Sequence, residues 1–371
     1  LEKSSEVGAH ILSGNVFETK ALDELIPNWK DLDSPIKTDV RSEDFLFYTN
    51  NKSIKIPNFL LPKALQNHGN YIISLSNFCK WLGEFAANLG VEIFPGFAAS
   101  KLIYDESNQV IGVQTGDMGL DKENNPKDNF EPGINIKGKV TVLSEGCRGH
   151  LGKEALKKFN LDKNNKSPQQ YGIGFKEIWE ISPENHSLGK VSHSVGWPLS
   201  NDIYGGSFCY HAENNQIYLG YVIGLDYKNP YLSPYDEFQQ FKTHPDVKKL
   251  LQGGKRISYG ARALIEGGLQ SLPQMHMPGA LLIGCDAGTL NMPKIKGSHT
   301  AMKSGIIAAE VIENHISKNE DLSSYEDKFK NSWVYKELHQ ARNVKPSFQW
   351  GLIPAMIFTG IDQKLFGGKL P

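Results

Sequence analysis

An α/β fold with an inserted antiparallel sheet is predicted by three stretches of the sequence. Residues 280–283 are an apolar run, typical of a buried parallel strand, and they end in a glycine-rich turn that carries Asp286. Residues 139–149 repeat this pattern of a buried strand followed by a glycine turn. Residues 168–260 are rich in Gly, Tyr and short strand-like runs, which is typical of antiparallel sheets. We therefore expect a nucleotide-binding fold whose two halves flank a substrate domain.

Length and composition restrict the class of protein. The chain has 371 residues, enough for two or three domains, and a formal net charge of −1. This balance gives no support for a nucleic-acid partner. Its four cysteines are widely spaced, without a CxxC pair, so we expect neither a disulfide framework nor a metal site made from them. We also expect no spanning helix, because no apolar run reaches ~18 residues.

Periodicity predicts several further elements. Residues 70–89 place apolar side chains on one helical face, and residues 91–94 are expected to form a strand. Residues 101–104 and 110–115 flank a polar turn and predict a hairpin. Residues 321–342 have the amphipathic pattern of a helix.

The turn at Asp286 precedes a predicted helix that begins near Gly297 and carries small residues at helical spacing. A helix N-terminus attracts phosphate through its free N–H groups and its dipole, and a carboxylate accepts hydrogen bonds from a polyol. This combination predicts an anion and polyol site. The alternative is an ordinary βα unit in which Asp286 only caps the turn.

These features resemble the second flavin-binding motif of FAD enzymes of the glutathione-reductase type. Longer motifs identify the chain as similar to a particular family, the electron-transfer flavoprotein:ubiquinone oxidoreductases. They are, in chain order, EGCRGHLGKEALKKF, YGIGFKEIW, VGWPL, YGGSFCYH, GLDYKNPYLSPYDEFQ, GGKRISYGARAL and MPKIKGSHTAMKSGI. The resemblance extends from Glu2 to about Gly368.

The resemblance implies a monotopic membrane flavoenzyme, an electron-transferring-flavoprotein dehydrogenase. Such an enzyme takes electrons from reduced electron-transfer flavoprotein and passes them to ubiquinone through FAD and a 4Fe–4S cluster. It lies on the cytoplasmic face of a bacterial inner membrane or the matrix face of the mitochondrial inner membrane. Its fold would be a glutathione-reductase-type FAD-binding fold with an inserted antiparallel quinone-binding domain.

The same resemblance implies a set of binding residues and requires no catalytic acid, base or nucleophile. Among the cofactor-binding residues, Glu2 is expected at the adenosine ribose and Asp286 at the ribitol. Gly297, Ser298 and Thr300 are expected at the helix start that faces the flavin and its phosphates. The quinone-binding residues are Tyr204, Gly205 and Gly206. Their backbone is expected to contact the quinone ring, because glycine has no side chain to keep the ring away. The alternatives are a solvated Glu2 near a chain end and a β-bulge or turn at the two glycines.

Four further residues are weaker candidates. Arg148 follows a glycine turn from which it could reach a phosphate, and Asn291 and Arg262 are candidates for tuning the redox centres. His211 and Tyr204 could help to protonate the quinone, because histidine titrates near neutral pH. For His211 the alternative is a strand residue with an ordinary hydrogen bond.

Two departures from the family pattern set further expectations. The glycine-rich FAD loop is missing, and residue 1 is Leu rather than Met, so we expect the sequence to begin inside a longer protein. The four cysteines, Cys79, Cys147, Cys209 and Cys285, are too dispersed for a cluster, which needs four convergent thiolates. We therefore expect the cluster ligands to lie outside this chain, and the chain by itself to hold FAD poorly.

The expected domains are discontinuous. Residues 1–44, 90–165 and 255–318 are assigned to the FAD-binding domain, and residues 45–89 and 166–254 to the ubiquinone domain. Residues 319–371 are assigned to the start of the iron–sulfur region, with a membrane-surface segment.

Residues 45–65 and 350–366 are predicted to form one membrane-facing surface, because both are strongly apolar yet unable to span a bilayer. The alternative is that they pack as ordinary core.

The sequence leaves two other functional hypotheses open. One is an FAD-dependent monooxygenase or dehydrogenase acting on a soluble substrate, and the other is an inactive truncated product.

Overall fold

The computed structural model describes residues 1–12 and 14–370; Ser13 and Pro371, which fall in the predicted segments 1–44 and 319–371, lie outside the described residues. The strands, in chain order, are β1 (Gly14–Phe17), β2 (Thr38–Asp39), β3 (Ser42–Tyr48), β4 (Ser53–Ile56), β5 (Tyr71–Ser74), β6 (Ala99–Tyr104), β7 (Val110–Thr115), β8 (Met118–Leu120), β9 (Pro126–Glu131), β10 (Asn135–Lys137), β11 (Thr141–Leu143), β12 (Tyr171–Glu180), β13 (Lys190–Gly196), β14 (Gly205–His211), β15 (Gln216–Gly224), β16 (Lys255–Ile265), β17 (His276–Met277) and β18 (Ala280–Leu282). The α-helices are α1 (Lys20–Leu25), α2 (Leu75–Asn88), α3 (His150–Phe159), α4 (Pro234–Lys242), α5 (Pro245–Leu251), α6 (Gly284–Ala287), α7 (Ser298–Lys318), α8 (Ser324–Asn331), α9 (Trp333–Ala341), α10 (Val344–Ser347) and α11 (Leu352–Leu365).

The largest sheet has seven strands in the order β16-β12-β15-β14-β13-β3-β4. Its neighbours are antiparallel except for β3 and β13, which run parallel. One face is covered by α4, which buries Phe238 and Phe241 against β12 and β15. This is the antiparallel sheet that residues 168–260 predict, extended by β3 and β4 from earlier in the chain.

A second sheet contains the predicted parallel pair. β11 and β18 are parallel, with Val142 opposite Leu281, and β17 adds an antiparallel edge. The side chains of β18 have no exposed surface, which explains its unbroken apolar sequence. α7 packs closely against the turn after β18, because Ala301 and Gly305 are small. A Cβ atom built at Gly284 would lie 3.3 Å from the Cβ of Ala301.

Three local predictions are wrong in detail. The helix expected over residues 70–89 begins only at Leu75, because Tyr71–Ser74 pairs as β5 between β1 and β2. Residues 91–94 do not form a strand. The helix expected over residues 321–342 is divided at Ser332, whose hydroxyl accepts a hydrogen bond from the Tyr335 N–H at 3.4 Å and so begins a new helix.

Within the described residues, no helix combines the length and apolar character that crossing a membrane requires.

Candidate functional site

The turn after β18 places Asp286 against the turn after β11. The Asp286 carboxylate is 9% exposed and accepts a hydrogen bond from the Glu145 N–H at 3.3 Å. Burial, together with the nearby Glu145 carboxylate, raises the pKa of Asp286 to about 7. Glu145 in turn accepts hydrogen bonds from the His150 and Gly152 N–H groups and so holds the first turn of α3. Two parallel strands therefore end with carboxylates side by side, where a polyol hydroxyl can donate to them.

A polar cavity of about 370 Å³ lies next to this turn and is lined by Asp286, Arg148, Lys153 and Gln169 among others. Arg148 has a positive φ of 55°, and its guanidinium lies 5.1 Å from the centre of the Tyr171 ring. Arg148 therefore points towards a polar space, as expected for a residue that could reach a phosphate.

The start of α7 brings together the other predicted flavin residues. Gly297 precedes the helix, the Thr300 hydroxyl donates to the Gly297 carbonyl at 2.8 Å, and Ser298 accepts a hydrogen bond from Asn15 at 2.9 Å. Among the described residues, the buried atoms Asn15 Oδ1 and Thr289 Oγ1 have no hydrogen-bond partner. Unsatisfied buried polar atoms are costly, and Asn15 lies beside the start of α7, where a polar ligand would supply a partner.

Glu2 lies apart from these residues. Its carboxylate accepts hydrogen bonds from the N–H and hydroxyl of Ser4, both at 2.7 Å, and its backbone pairs with residues 94–97. The role of Glu2 at an adenosine ribose stays a prediction.

A second and larger cavity of about 530 Å³ is almost entirely apolar. It contains the three predicted quinone residues, Tyr204, Gly205 and Gly206, at the start of β14. Its walls come from β3, β4, β13, β14 and β15, the segment 60–65, the loop 292–295, α10 and α11. The two apolar segments 45–65 and 350–366 therefore meet at this cavity.

The two glycines are also required by the sheet itself. A Cβ atom at Gly205 would lie 2.5 Å from the Val222 carbonyl oxygen, and one at Gly206 would clash with the Ser194 carbonyl oxygen. The close pairing of β13, β14 and β15 therefore demands glycine here, and a side chain added at Gly206 would displace a strand rather than simply fill the cavity.

His211 does not line this cavity, so the structure does not bring it together with the predicted quinone residues. It lies at the far end of β14, six residues from Gly205 and so roughly 20 Å away. Its Nδ1 accepts a hydrogen bond from the Ser187 N–H at 3.0 Å, and burial lowers its pKa to about 4.

The cavity instead contains His193, which the sequence reasoning missed. His193 Nε2 lies 2.9 Å from the Tyr210 hydroxyl, and burial, aided by the charge of Lys296, lowers its pKa to about 3. The sequence could have indicated this position, because side chains alternate between the two faces of a strand. On β13 this alternation places His193 on the same face as Val191 and Val195.

The two candidates for redox tuning have partners within the protein. Asn291 donates to Glu337 at 2.9 Å and accepts from the Lys294 N–H, so its side chain holds the loop before α7. A Cβ atom at Gly146 would lie 3.7 Å from Arg262 Nη2, so Arg262 reaches the turn that follows β11.

The described residues do not fit an iron–sulfur cluster. The four cysteines are all free, and they lie on α2, on the turn after β11, on β14 and on α6. Among the residues that the structure describes, one other group offers ligand atoms within 4.8 Å of one another, Glu18, His299 and Glu337. Lys294 already pairs with both of these carboxylates, at 2.5 and 3.0 Å.

Comparison with solved structures defines the fold. A geranylgeranyl bacteriochlorophyll reductase-like protein from Thermoplasma acidophilum superimposes with a TM-score of 0.70 at 16% identity, over 98% of this chain and 83% of that one. A flavoprotein/dehydrogenase from Cytophaga hutchinsonii gives 0.62 at 12% identity, over 94% and 79%. The fold is the glutathione-reductase-type FAD-binding fold of flavin-dependent oxidoreductases.

Sequence comparison defines the family. Residues 171–264 match the family model described as "ETF-QO, ubiquinone-binding". The whole chain is 53% identical to an electron transfer flavoprotein-ubiquinone oxidoreductase of Pseudomonas aeruginosa, and 48% and 47% identical to the mitochondrial proteins of the same name from Oryza sativa and Bos taurus. It spans 68%, 64% and 62% of their respective lengths. The chain belongs to the electron transfer flavoprotein-ubiquinone oxidoreductase family, a family of oxidoreductases.

Proposed function

We propose that the protein containing this chain oxidises reduced electron-transfer flavoprotein and reduces ubiquinone at a membrane surface. The observation that carries the proposal is the apolar cavity of about 530 Å³ that joins Tyr204, Gly205 and Gly206 to the two exposed apolar segments. An oily quinone stays in the bilayer, so its site must open onto hydrocarbon. The family relationship supports this direction of electron flow.

The residues around Asp286 and the start of α7 fit FAD. A carboxylate accessible to a polyol, an uncapped helix N-terminus and the two buried atoms without partners suit the ribitol, the pyrophosphate and the flavin. We propose Asp286, Gly297, Ser298 and Thr300 as flavin-binding residues, and Glu2 at the adenosine ribose. FAD, when bound, supplies electron-transfer chemistry.

The chain's own residues bind, orient and exclude water. The loop 290–297 connects the two sites, because Met292 and Ile295 line the apolar cavity while Gly297 begins α7. The cavity offers few polar contacts, and its apolar walls fix a quinone ring by shape. Tyr204 lines the cavity, and we propose that its hydroxyl meets a quinone oxygen.

Division into domains follows the same proposal. The seven-stranded sheet and its helices would form the quinone-binding part, which takes β16 from the segment 255–318 assigned above to the FAD-binding domain. The sheet of β11, β18 and β17 with α3 and α7 would form the flavin-binding part. Because the described cysteines lie on separate elements, the proposed function of this chain includes no step at an iron–sulfur cluster.

A second candidate function is an FAD-dependent monooxygenase or dehydrogenase with a soluble substrate. The fold would serve either function, since flavoproteins of different activities superimpose on it. The apolar walls of the larger cavity and the exposed apolar residues at its rim favour the quinone.

Filling the cavity tests the proposal. Gly360 lies on α11 and lines the cavity, and a Cβ atom added to it meets no atom within 4 Å. Gly360→Phe in the full-length protein should therefore lower ubiquinone reduction by more than about tenfold, a loss of more than ~1.4 kcal/mol in binding. The rate at which electron-transfer flavoprotein reduces the flavin, measured by flavin absorbance, should be unchanged.

Gly360→Ala is the matched control. It adds a methyl group that leaves the cavity open, and alanine in a helix adds about 0.5–1 kcal/mol of stability relative to glycine. Ubiquinone turnover by Gly360→Phe at the rate of Gly360→Ala would place the quinone site elsewhere.

A further inference from the structure

A buried carboxylate lies behind the wall of the apolar cavity. Glu266 follows β16 and is 1% exposed, and among the described residues neither of its carboxylate oxygens has a partner with hydrogen-bond geometry. Its nearest charge is the Lys345 ammonium group on α10, 3.3 Å from Oε2. Burying an acid with so little compensation is costly, and such groups are retained most often where they act in chemistry.

Lys345 connects Glu266 to solvent. Its ammonium nitrogen also lies 3.2 Å from Asp226 Oδ2, and the Asp226 side chain is 50% exposed. The Lys345 side chain itself is only 10% exposed. Asp226, Lys345 and Glu266 therefore form a continuous row of charged groups from the surface to the interior.

Lys345, the middle member of this row, packs against Tyr204. The Lys345 nitrogen lies 4.1 Å from the centre of the Tyr204 ring, and Tyr204 lines the cavity. Burial, and then the carboxylates of Glu266 and Asp226, raise the pKa of the Tyr204 hydroxyl well above its usual value. Tyr204 is thus a protonated group that lines the cavity and lies against Lys345, which pairs with both carboxylates.

The sheet leaves room for this carboxylate. A side chain at Gly172 would clash with Glu266 Oε1, and a Cβ atom at Gly224 would lie 3.1 Å from Glu266 Oε2 and 3.3 Å from the Lys345 nitrogen. Both positions face Glu266 from neighbouring strands, β12 and β15. Two glycines therefore shape the space that Glu266 occupies.

We propose that Asp226, Lys345 and Glu266 relay protons from solvent to Tyr204 for the reduction of quinone in the cavity. The inference rests on the proposed function. Reduction of ubiquinone to ubiquinol takes two electrons, which the oxidation of electron-transfer flavoprotein supplies, and two protons. Tyr204 donates its hydroxyl proton to a quinone oxygen, so that the Tyr204 O–H bond breaks and a quinone O–H bond forms. Tyr204 then takes a proton from the Glu266 carboxyl. Glu266 recovers its proton from solvent through Lys345 and Asp226.

The charges around Glu266 affect the pH at which its carboxyl group loses its proton. The titratable groups that face it are Lys345 from α10, Asp226 from the loop after β15 and Tyr204 from before β14, whereas β12 contributes Gly172. Burial, and to a lesser extent Asp226, raises the pKa of Glu266 to about 7 against the opposing charge of Lys345. The proton-donating form is therefore lost as the pH rises through about 7.

Glu266→Gln in the full-length enzyme tests the relay. Quinone reduction should slow by about 100-fold, within the range of lost general acid catalysis, while reduction of the flavin by electron-transfer flavoprotein is unchanged. The rate should also lose its fall above pH 7, and formate should restore part of it by donating protons. Lys345→Gln should also slow quinone reduction, because it interrupts the row. It should keep the fall with pH but move it to higher pH, because removing the cation raises the pKa of Glu266.

Glu237→Gln is the matched control, since Glu237 on α4 is also an acid with a raised pKa but lies outside the row of Asp226, Lys345 and Glu266. It should leave the rate and its pH profile unchanged. Wild-type rate in Glu266→Gln, or a slow rate that keeps the wild-type pH profile and ignores formate, would overturn the relay. Failure of the wild-type enzyme to reduce ubiquinone at all would instead overturn the proposed function.

Discussion

Asp286 combines two unfavourable conditions that a ligand can relieve. Its carboxylate is buried, and it lies beside the Glu145 carboxylate, so its pKa is raised to about 7. A Cβ atom at Gly152 would collide with it, so glycine keeps the space beside it open. A hydroxyl donor would stabilise the ionised form, which makes Asp286 a suitable partner for the flavin polyol.

Asp286→Ala should therefore weaken flavin retention. Loss of a hydrogen bond to a charged acceptor should cost about 1–3 kcal/mol, seen as lower flavin content after extended dialysis of the full-length protein. Asp286→Asn is the control, because its amide oxygen still accepts a hydrogen bond and should retain more flavin than alanine. Equal flavin content in all three proteins would show that Asp286 only holds the turn.

Among elements, the contact between α7 and the turn after β18 has the most direct effect on the site. The Ser304 hydroxyl is fully buried, accepts a hydrogen bond from the Gly284 N–H at 2.9 Å and donates to the Ala301 carbonyl at 2.7 Å. Gly284 begins the turn that carries Asp286 and has a φ of 59°, a value suited to glycine. The helix therefore fixes the backbone from which the acidic side chain projects.

Ser304→Ala should destabilise the protein by about 1–3 kcal/mol, because it leaves the Gly284 N–H buried without a partner. Urea denaturation followed by circular dichroism measures this loss. Ser317→Ala on the same helix is the control: its hydroxyl is exposed and donates only to the Glu313 carbonyl, so we expect a change within about 0.5 kcal/mol. Equal effects of the two substitutions would contradict the role given to Ser304.

Elements with one dominant local signal could be predicted from the sequence. The apolar run of β18 and the paired runs of β6 and β7 are examples. Residues 70–74 could not be separated from α2, because Ile72 and Ile73 suit a helix and a strand equally, and pairing with β1 decides between them. Residues 91–94 have strand-like composition, but the structure gives them no strand partner along their length.

The candidate site could be predicted only where its residues lie close together in the sequence. Asp286 and Gly297 share one βα unit, and Tyr204 to Gly206 are adjacent in sequence. Glu266 and Lys345 are 79 positions apart and meet only because β16 and α10 fold to the same place. Position along a strand also decides function, since β14 brings Gly205 to the cavity and carries His211 away from it.

At the scale of the whole molecule, two distant segments form one apolar surface around the mouth of the larger cavity. Phe59 is 74% exposed and Ile357 61% exposed, although both are large and apolar. Lys364 on α11 contacts the Phe59 carbonyl and so ties the segments together. The exposed members of this surface are Ile54, Phe59, Leu60, Trp350, Ile353, Ile357, Ile361, Leu365 and Phe366. A patch of this kind is typical of a protein or membrane contact.

We expect this surface to hold the full-length protein on a membrane. Replacing four of its exposed residues with serine should release the protein from liposomes in a flotation assay, since each buried side chain contributes about 1.5–3 kcal/mol. The four are Phe59, Leu60, Ile353 and Ile357. A control variant replaces four comparably exposed apolar residues elsewhere on the surface with serine, namely Leu25, Met118, Ile134 and Ile316, and should still float. The flavin spectrum should be unchanged in both variants, because none of the eight side chains is in the buried core. If the first variant keeps its flavin and floats as well as the control, the surface does not bind lipid, and the quinone must reach its cavity by another route.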